Sequence, residues 1–316
     1  MKHSNFGNIR HDAARLNVHL DANETMLVTR ELEAVEAQVY RKVYPDLLSD
    51  QLIPVMGGVH PGAKTTSFDM VDRTGKAKLV ASYADDAPVV EVTKTRTAQN
   101  IFGMQLGWVW SIQDVRAAAM AGVPLETEGA FAVRDGIERA IDQICAIGDA
   151  ESGLQGLLNH SAAPAALANP GGVWTTASSV SALLTDLNYL VNDIVNDTKN
   201  VDRLAPDTLI LPIDQYTTLN SVTNANTDKS AARIFLETNP YIKTIVPWYY
   251  ALDPAGTGPR ACAYRRDPMV VSKVLPQPFE FMPPQQTGMV FKQLGHARTA
   301  GVKMRYPVAV RYMDGI

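Results

Sequence analysis

Asp149 and Glu151 stand two residues apart in the segment GDAESGLQGLLNH (148–160), which His160 closes. Two carboxylates and an imidazole are the right types for general acid–base work, in which one group gives and another takes a proton near neutral pH. The same segment also has the composition that a helix end needs. Asp and Gly occur in turns through Asx hydrogen bonds and tolerance of positive φ, and Gly148, Gly153 and Gly156 punctuate the stretch. Because both acids follow directly on a helix end, the turn reading takes precedence, with an acid–base site as its rival.

Little else in the chain is spaced for chemistry. The motifs GxSxG, GxxxxGK[ST] and HExxH are absent, which removes the signatures of a nucleophile elbow, a nucleotide phosphate loop and a zinc protease. His3, His11, His19, His60, His160 and His296 are scattered, none paired with a second His or a Cys at ligand spacing, so neither a metal site nor a cofactor is expected. GTGPR (256–260) lacks the glycine pattern of an anion loop. Cys145 and Cys262 have no CxxC spacing, and Cys145, among Ile141, Ile144 and Ile147, reads as a small core residue. The aromatics of GWVW (107–110) and PWYYALDP (247–254) have the faces to stack bases or sugars, but in alternating segments they pack a core more often.

The elements that position these residues follow from the sequence pattern. With 316 residues, 46% of them hydrophobic and 20% charged, the chain fills one large or two ordinary domains. A net charge of -4 excludes a bulk electrostatic grip on nucleic acid. The first residues, MKHSNFGNIRHDAARLN, lack the apolar stretch of a secretion signal, and no apolar run of about 18 residues is present, so no membrane partner is expected.

Residues 1–28 are polar and aperiodic. RELEAVEAQVYRKVY (30–44) spaces Leu32, Val35, Val39 and Val43 as a short amphipathic helix. TTSFDMVD (65–72) and KAKLVASY (76–83) alternate like two strands around an RTGK turn. The stretch from 54 to 98 has few residues for a core of its own, so it must lie on something else. Lys64, Arg73, Lys76 and Lys78 decorate it, either as a solvated face or as a charge-matched subunit contact.

EVTKTRTAQNIFGMQLGWVW (91–110) continues extended. Ser111 with Asp114 forms a capping-box pattern at the start of a helix. Pro124 opens a second helix of about 23 residues, about 35 Å long, whose buried stripe is expected at Phe131, Ile137, Ala140, Ile141 and Ile144. After a Pro/Ala link (161–172) comes a helix with Val180, Leu183, Leu187, Leu190, Val191 and Ile194 on one face. A buried strand (206–212), two short helices and a strand at YIKTIVPWYYAL (241–252) then make an α/β module over about 161–283. Residues 284–316 return to strand.

This order of parts resembles the major capsid protein of tailed bacteriophages with the Hong Kong 97-type fold. ASYADDAPVVEVTKTRTAQNIFGMQLGWVWSIQDVRAA (81–118) is similar to the descending arm of that family's extended loop. ERAIDQICAIGDAESGLQGLLN (138–159) is similar to the end of its spine helix, with Gly-Asp and Gly-Leu-Leu-Asn. HARTAGVKMRYPVAVRYMDGI (296–316) resembles its terminal strands.

The resemblance implies an α+β fold with an N-terminal arm (1–29) and an N-terminal helix with its lead-in (30–54). It implies an extended β-hairpin loop (55–90) lying over a neighbour, and a peripheral domain (91–160 and 284–316) built on a spine helix at 125–148. An α/β axial domain (161–283) completes it. It implies a structural, non-enzymatic subunit that assembles with itself into hexamers and pentamers of an icosahedral shell around double-stranded DNA, without sequence-specific binding. The expected location is the virion, assembled in the bacterial host cytoplasm.

Gly148, Asp149, Gly153, Gly156 and Asn159 would form the hinge between spine helix and axial domain. Lys64, Arg73, Lys76 and Lys78 would face other subunits. The short segment before the first helix implies a separate scaffolding protein, beside a portal and decoration proteins. Some relatives join a loop Lys to an Asn; no acceptor stands out here, so no cross-link is expected. The alternatives are an encapsulin-like compartment shell and, from another class, a small α/β hydrolase or transferase using Asp149, Glu151 and His160.

Overall fold

The computed structural model describes residues 44–79, 88–122, 125–225, 227–254, 256 and 258–316. The chain divides into two units, Met1–Pro45 and Asp46–Ile316. The arm expected at 1–29 and nearly all of the helix expected at 30–44 lie outside the described residues. The second unit mixes helices and strands, as the α+β expectation requires.

Three sheets organise the second unit. A five-stranded sheet runs β5 (Leu167–Ala168), β14 (Val310–Asp314), β8 (Arg260–Tyr264), β6 (Thr208–Leu211), β7 (Thr244–Pro247). Alternation divides its side chains between two cores. Leu209, Leu211, Ala261, Ala263 and Met313 pack with α4 (Val180–Asp197), α5 (Ile213–Ser221) and α6 (Ala231–Thr238). Ile210, Cys262, Tyr264, Val310 and Tyr312 face the other way, against α3 (Leu125–Ile147). A sheet buried on both faces explains why TLIL (208–211) reads as an unbroken apolar run.

The expected boundary at 283/284 does not separate these layers. The last strand, β14, inserts between β5 and β8, and its hydrogen bonds to β8 and β5 make the C-terminal return part of the α/β sheet.

A second sheet carries β12 (Val290–Thr299), flanked by β4 (Phe102–Ser111) on one side and by β10 (Gln277–Phe281) and β11 (Gln285–Thr287) on the other. β4 and β12 pair over ten residues, Phe102 with Thr299 through Ser111 with Val290. α3 lies close across this sheet because two of its residues have no side chain. A Cβ on Gly129 would meet the Trp108 ring at 2.2 Å, and one on Gly136 would meet Leu106 Cδ2 at 2.6 Å. Seven residues apart, the two glycines share a helix face. The third sheet, β1 (Val55–Met56), β9 (Val271–Val274) and β13 (Val302–Met304), ties the lead-in to the C-terminal strands.

α3 has the 23 residues expected of the long helix. Its buried stripe is Val133, Ile137, Ile141 and Cys145 at spacings of four, with Ile144 and Ala140 half-buried. Phe131, expected in the stripe, is 59% exposed. It sits about 200° around the helix from Val133, on the side away from the sheet. Ser111 caps α2 (Ile112–Ala121) through a complete capping box with Asp114. Strand structure in YIKTIVPWYYAL is confined to β7, and Tyr249–Leu252 turns as a short 3₁₀ helix.

The expected hairpin is also paired differently. β2 (Thr65–Thr74) pairs with β3 (Glu91–Asn100), from Thr65 with Asn100 to Thr74 with Glu91. KAKLVASY does not supply the second strand: 76–79 are not extended strand, and 80–83 lie outside the described residues. The alternating threonines of β3 allow a ladder of ten pairs, longer than any the eight residues after RTGK could make. The ladder ends at Thr74 with Glu91, and 91–100 belongs to this ribbon rather than to the sheet beneath.

Candidate assembly elements: the helix junction and the projecting ribbon

The C-terminus of α3 must find partners for its last four carbonyls, which have no acceptor role inside the helix. All four are satisfied by the segment the sequence singled out. Gly148 N–H donates to Ile144 O (2.9 Å), Leu157 N–H to Cys145 O (2.8 Å) and Leu158 N–H to Ala146 O (2.9 Å). Asn159 Nδ2 donates to Ile147 O (2.5 Å). The Gly-Leu-Leu-Asn stretch is thus a cap that folds back onto the helix it follows.

Each glycine of the junction has its own reason. Gly148 has φ 75°, and a Cβ there would lie 2.3 Å from Leu154 O. Gly153 has φ 68° in open space. Gly156 is the close approach: a Cβ would lie 2.5 Å from both Ala146 O and Gly148 N. Asp149 closes the turn with its carboxylate on Ser152 N–H (3.1 Å), and its backbone bridges Leu154. The Ser152 side chain, then backbone donors, hold the Asp149 carboxyl below its ordinary range.

The junction is held from outside as well. Tyr312 donates its hydroxyl to Leu157 O (2.5 Å) and accepts His160 N–H (3.3 Å). Arg260 donates to Leu158 O (2.9 Å) and holds Asp314 with Nε and Nη2 (2.6 and 2.8 Å). Val302 N–H donates to Gln155 O (2.9 Å). The acid–base trio is not assembled here. His160 is buried and its Nδ1 accepts from Ala162 N–H (3.1 Å), and the Asp149 carboxyl is committed to Ser152 and to the backbone of the exposed Glu151. Burial pushes the His160 pKa down, against the backbone of Val302.

The ribbon is the second element. From Asp69 to Thr74 and from Glu91 to Ala98 every residue is exposed. Across the strands Asp69 meets Arg96 (2.7 Å) and Lys94 (2.6 Å), Arg96 first and Lys94 second holding its carboxyl well below the usual carboxylate range. Arg73 lies exposed near the outer end of β2, with Lys76 and Lys78 exposed just beyond it, whereas Lys64 is at the root, where its carbonyl accepts from Ile101 N–H (2.9 Å).

The root rests on a group that sequence reasoning missed. Lys303 is fully buried, donates to Thr66 Oγ1 (2.9 Å) and lies 5.2 Å from the centre of the Phe68 ring. Arg305 lies 6.0 Å from the same ring. Burial, then the Arg305 charge, lowers the Lys303 pKa to about 8. In GVKMRYP the lysine alternates with Val302 and Met304 like a solvent-facing residue, so no local signal marks it.

A second missed group anchors the lead-in. Asp142 on α3 accepts Ser49 N–H (2.8 Å) at the start of α1 (Ser49–Leu52), buried Lys273 pairs with Asp50, and Tyr264 donates to Leu52 O (2.8 Å). Burial raises the Asp142 pKa. Among the described residues no cluster of His, Cys, Asp and Glu could hold a metal, and no helix is long and apolar enough to cross a membrane.

The family model for the major capsid protein matches residues 75–316. The chain belongs to the major capsid protein family. The capsid subunit has the fold of solved phage capsid chains. Against the capsid of Myoviridae phage XM1 it has a TM-score of 0.82 at 20% identity, covering 92% of this chain and 99% of that one. The capsid of the empty GTA particle gives 0.64 at 14%, with 93% and 99% covered. Mycobacterium phage Bobi gives 0.61 at 17%, with 91% and 98% covered. No curated protein matches the sequence. The protein is a structural subunit of a capsid shell, and its place is the virion capsid.

Proposed function

We propose that copies of this subunit form hexamers and pentamers that close into an icosahedral shell around double-stranded DNA. The shell would assemble in the bacterial host cytoplasm with a scaffolding protein, a portal and decoration proteins as further partners. The observation that carries this reading is the ribbon: ten strand pairs whose outer part has no core of its own. A two-stranded ribbon is marginal alone in water, so a neighbouring subunit completes it. The net charge of -4 supports a wall that surrounds DNA without holding it tightly.

In this reading α3 with the sheet of β4, β10, β11 and β12 belongs to the peripheral domain, and the five-stranded sheet with α4, α5 and α6, β14 included, belongs to the axial domain around the local symmetry axes. Gly148, Asp149, Gly153, Gly156 and Asn159 set the angle between them. Lys64, Arg73, Lys76 and Lys78 lie where the loop meets other subunits. The chain itself catalyses no reaction. Replacing 67–98 by a short turn tests the reading. The shortened subunit is expected to keep the cooperative unfolding of the body while losing closed particles in electron micrographs. Normal particles from it would refute the role of the ribbon.

A further inference from the structure

The five-stranded sheet carries opposite charge at its two ends. β6 directs its carboxyl end at the start of α5 and at the 3₁₀ turn Tyr249–Leu252, and Trp248 N–H donates to Leu211 O (2.9 Å) there. Ile213, Tyr249 and Leu252 are exposed at this end, although all three are large apolar or aromatic side chains. Asp214 and Asp253 stand exposed beside them, and no base pairs with either among the described residues. Asp253 Oδ1 accepts Gly258 N–H (3.1 Å), which fixes the carboxylate at the turn.

The other end, before Thr208 and after Tyr264, holds a groove of about 260 Å³. Val270 is its buried floor, Leu204 and Tyr306 are half-buried in it, and Val201 and Met269 stand exposed at its rim. Arg203 also lines it. Its guanidinium donates to Met269 Sδ (3.3 Å) and pairs with no carboxylate among the described residues. A thioether is a weak acceptor, so this cation lacks a partner of its own strength. Asp267 does not supply one, because its Oδ1 accepts Met269 N–H (2.8 Å). Lys199, Lys243 and Arg266 are exposed at the same end, with Asp202 as the exposed acid among them.

One end is thus apolar and acidic, and the other is an apolar groove with a surplus of cations. Met, Tyr and Arg are residue types enriched at the centre of interfaces. Opposite ends of one sheet cannot meet within a copy. They meet between copies placed head to tail, and such heterologous contacts close into rings when the rotation between copies closes.

We propose that the groove of one copy receives the 249–253 turn of the next, with Leu252 against Leu204, Met269 and Tyr306, and the Asp253 carboxylate on the Arg203 guanidinium. The proposal rests on the ring-forming part of the shell reading above and names the two surfaces that meet around each ring.

The test is a pair of engineered thiols, Leu252→Cys with Met269→Cys, in assembled particles. The two native thiols are buried. A ladder of disulfide-linked oligomers is expected under oxidising conditions and is removed by reductant. Either single variant is expected to give none, because the contact brings position 252 to 269 and never to itself. Complete particles without the ladder overturn this contact and leave the shell reading standing. A parent chain that forms neither rings nor particles removes both.

Should the double variant fail to assemble, phenylglyoxal labelling of the parent protein gives the answer. Arg203 is expected to react about tenfold slower in particles than in dissociated subunits, since a contact of this kind excludes water. Equal rates overturn the proposal.

Discussion

Three glycines of the junction separate two physical costs that usually arrive together. Gly148→Ala meets both. Its backbone is left-handed at φ 75°, which costs a residue with a Cβ roughly 1–2 kcal/mol. The new Cβ would also lie 2.3 Å from Leu154 O and 2.8 Å from Gly156 N, and both are backbone atoms that cannot rotate away. Relief requires moving 154–158, which bears the donors to Cys145 O and Ala146 O and the bridge to Asp149. Losing two of these bonds adds about 1–3 kcal/mol, so Gly148→Ala is expected to cost about 2–5 kcal/mol.

Gly153→Ala meets only the backbone cost, because nothing lies within 4 Å of its Cβ, and is expected to cost about 1–2 kcal/mol. Gly156→Ala meets only the collision, 2.5 Å from Ala146 O, and falls between the two. Urea unfolding of unassembled subunits, followed by tryptophan fluorescence, measures all three. If Gly148→Ala costs no more than Gly153→Ala, the cap does not hold the helix end as described. Gly148→Val, with a branch at Cβ, is expected to abolish particles as well.

Asn159→Ala removes the one side-chain donor to the end of α3 and leaves Ile147 O without it; a loss of about 1 kcal/mol is expected by the same unfolding assay. Asn159→Asp should cost more, because a carboxylate there faces both that carbonyl and the negative end of the helix. Lys303 gives a pH signature. Its pKa falls from 10.5 to about 8 on folding, so between those values the unfolded chain binds more protons and this residue makes stability rise with pH, by at most about 3 kcal/mol. Cys145, with its thiol pushed up to about 12, and the buried Cys262, Tyr264 and Tyr312 act in the opposite direction at alkaline pH. The difference between parent and Lys303→Met isolates the lysine: the variant is expected to be more stable at pH 7, with the gap closing toward pH 10. A gap independent of pH would refute the buried, depressed amine.

What the sequence determined by itself was local. The length of α3, the apolar face of α4 and the capping box at Ser111 follow from the order of residues within one element, where the 3.6 period and the cap chemistry are complete. The junction glycines were legible for the same reason, since a helix end must be followed by residues that tolerate φ near 75°. Cys145 was legible as core from its isoleucine neighbours.

Tertiary structure decided whatever depends on a partner distant in the chain. β2 pairs with 91–100 rather than 76–83 because the ladder that forms is the one with the most pairs, a property of two segments together. β14 enters the α/β sheet because β8 and β5 leave a place for it, which no pattern within VRYMD records. Phe131 stays exposed because the sheet lies on the other side of its helix. Lys303 is buried by Thr66 and Phe68, more than 230 residues earlier. Periodicity reports which face of an element is apolar; it carries no information about which other element arrives to cover it.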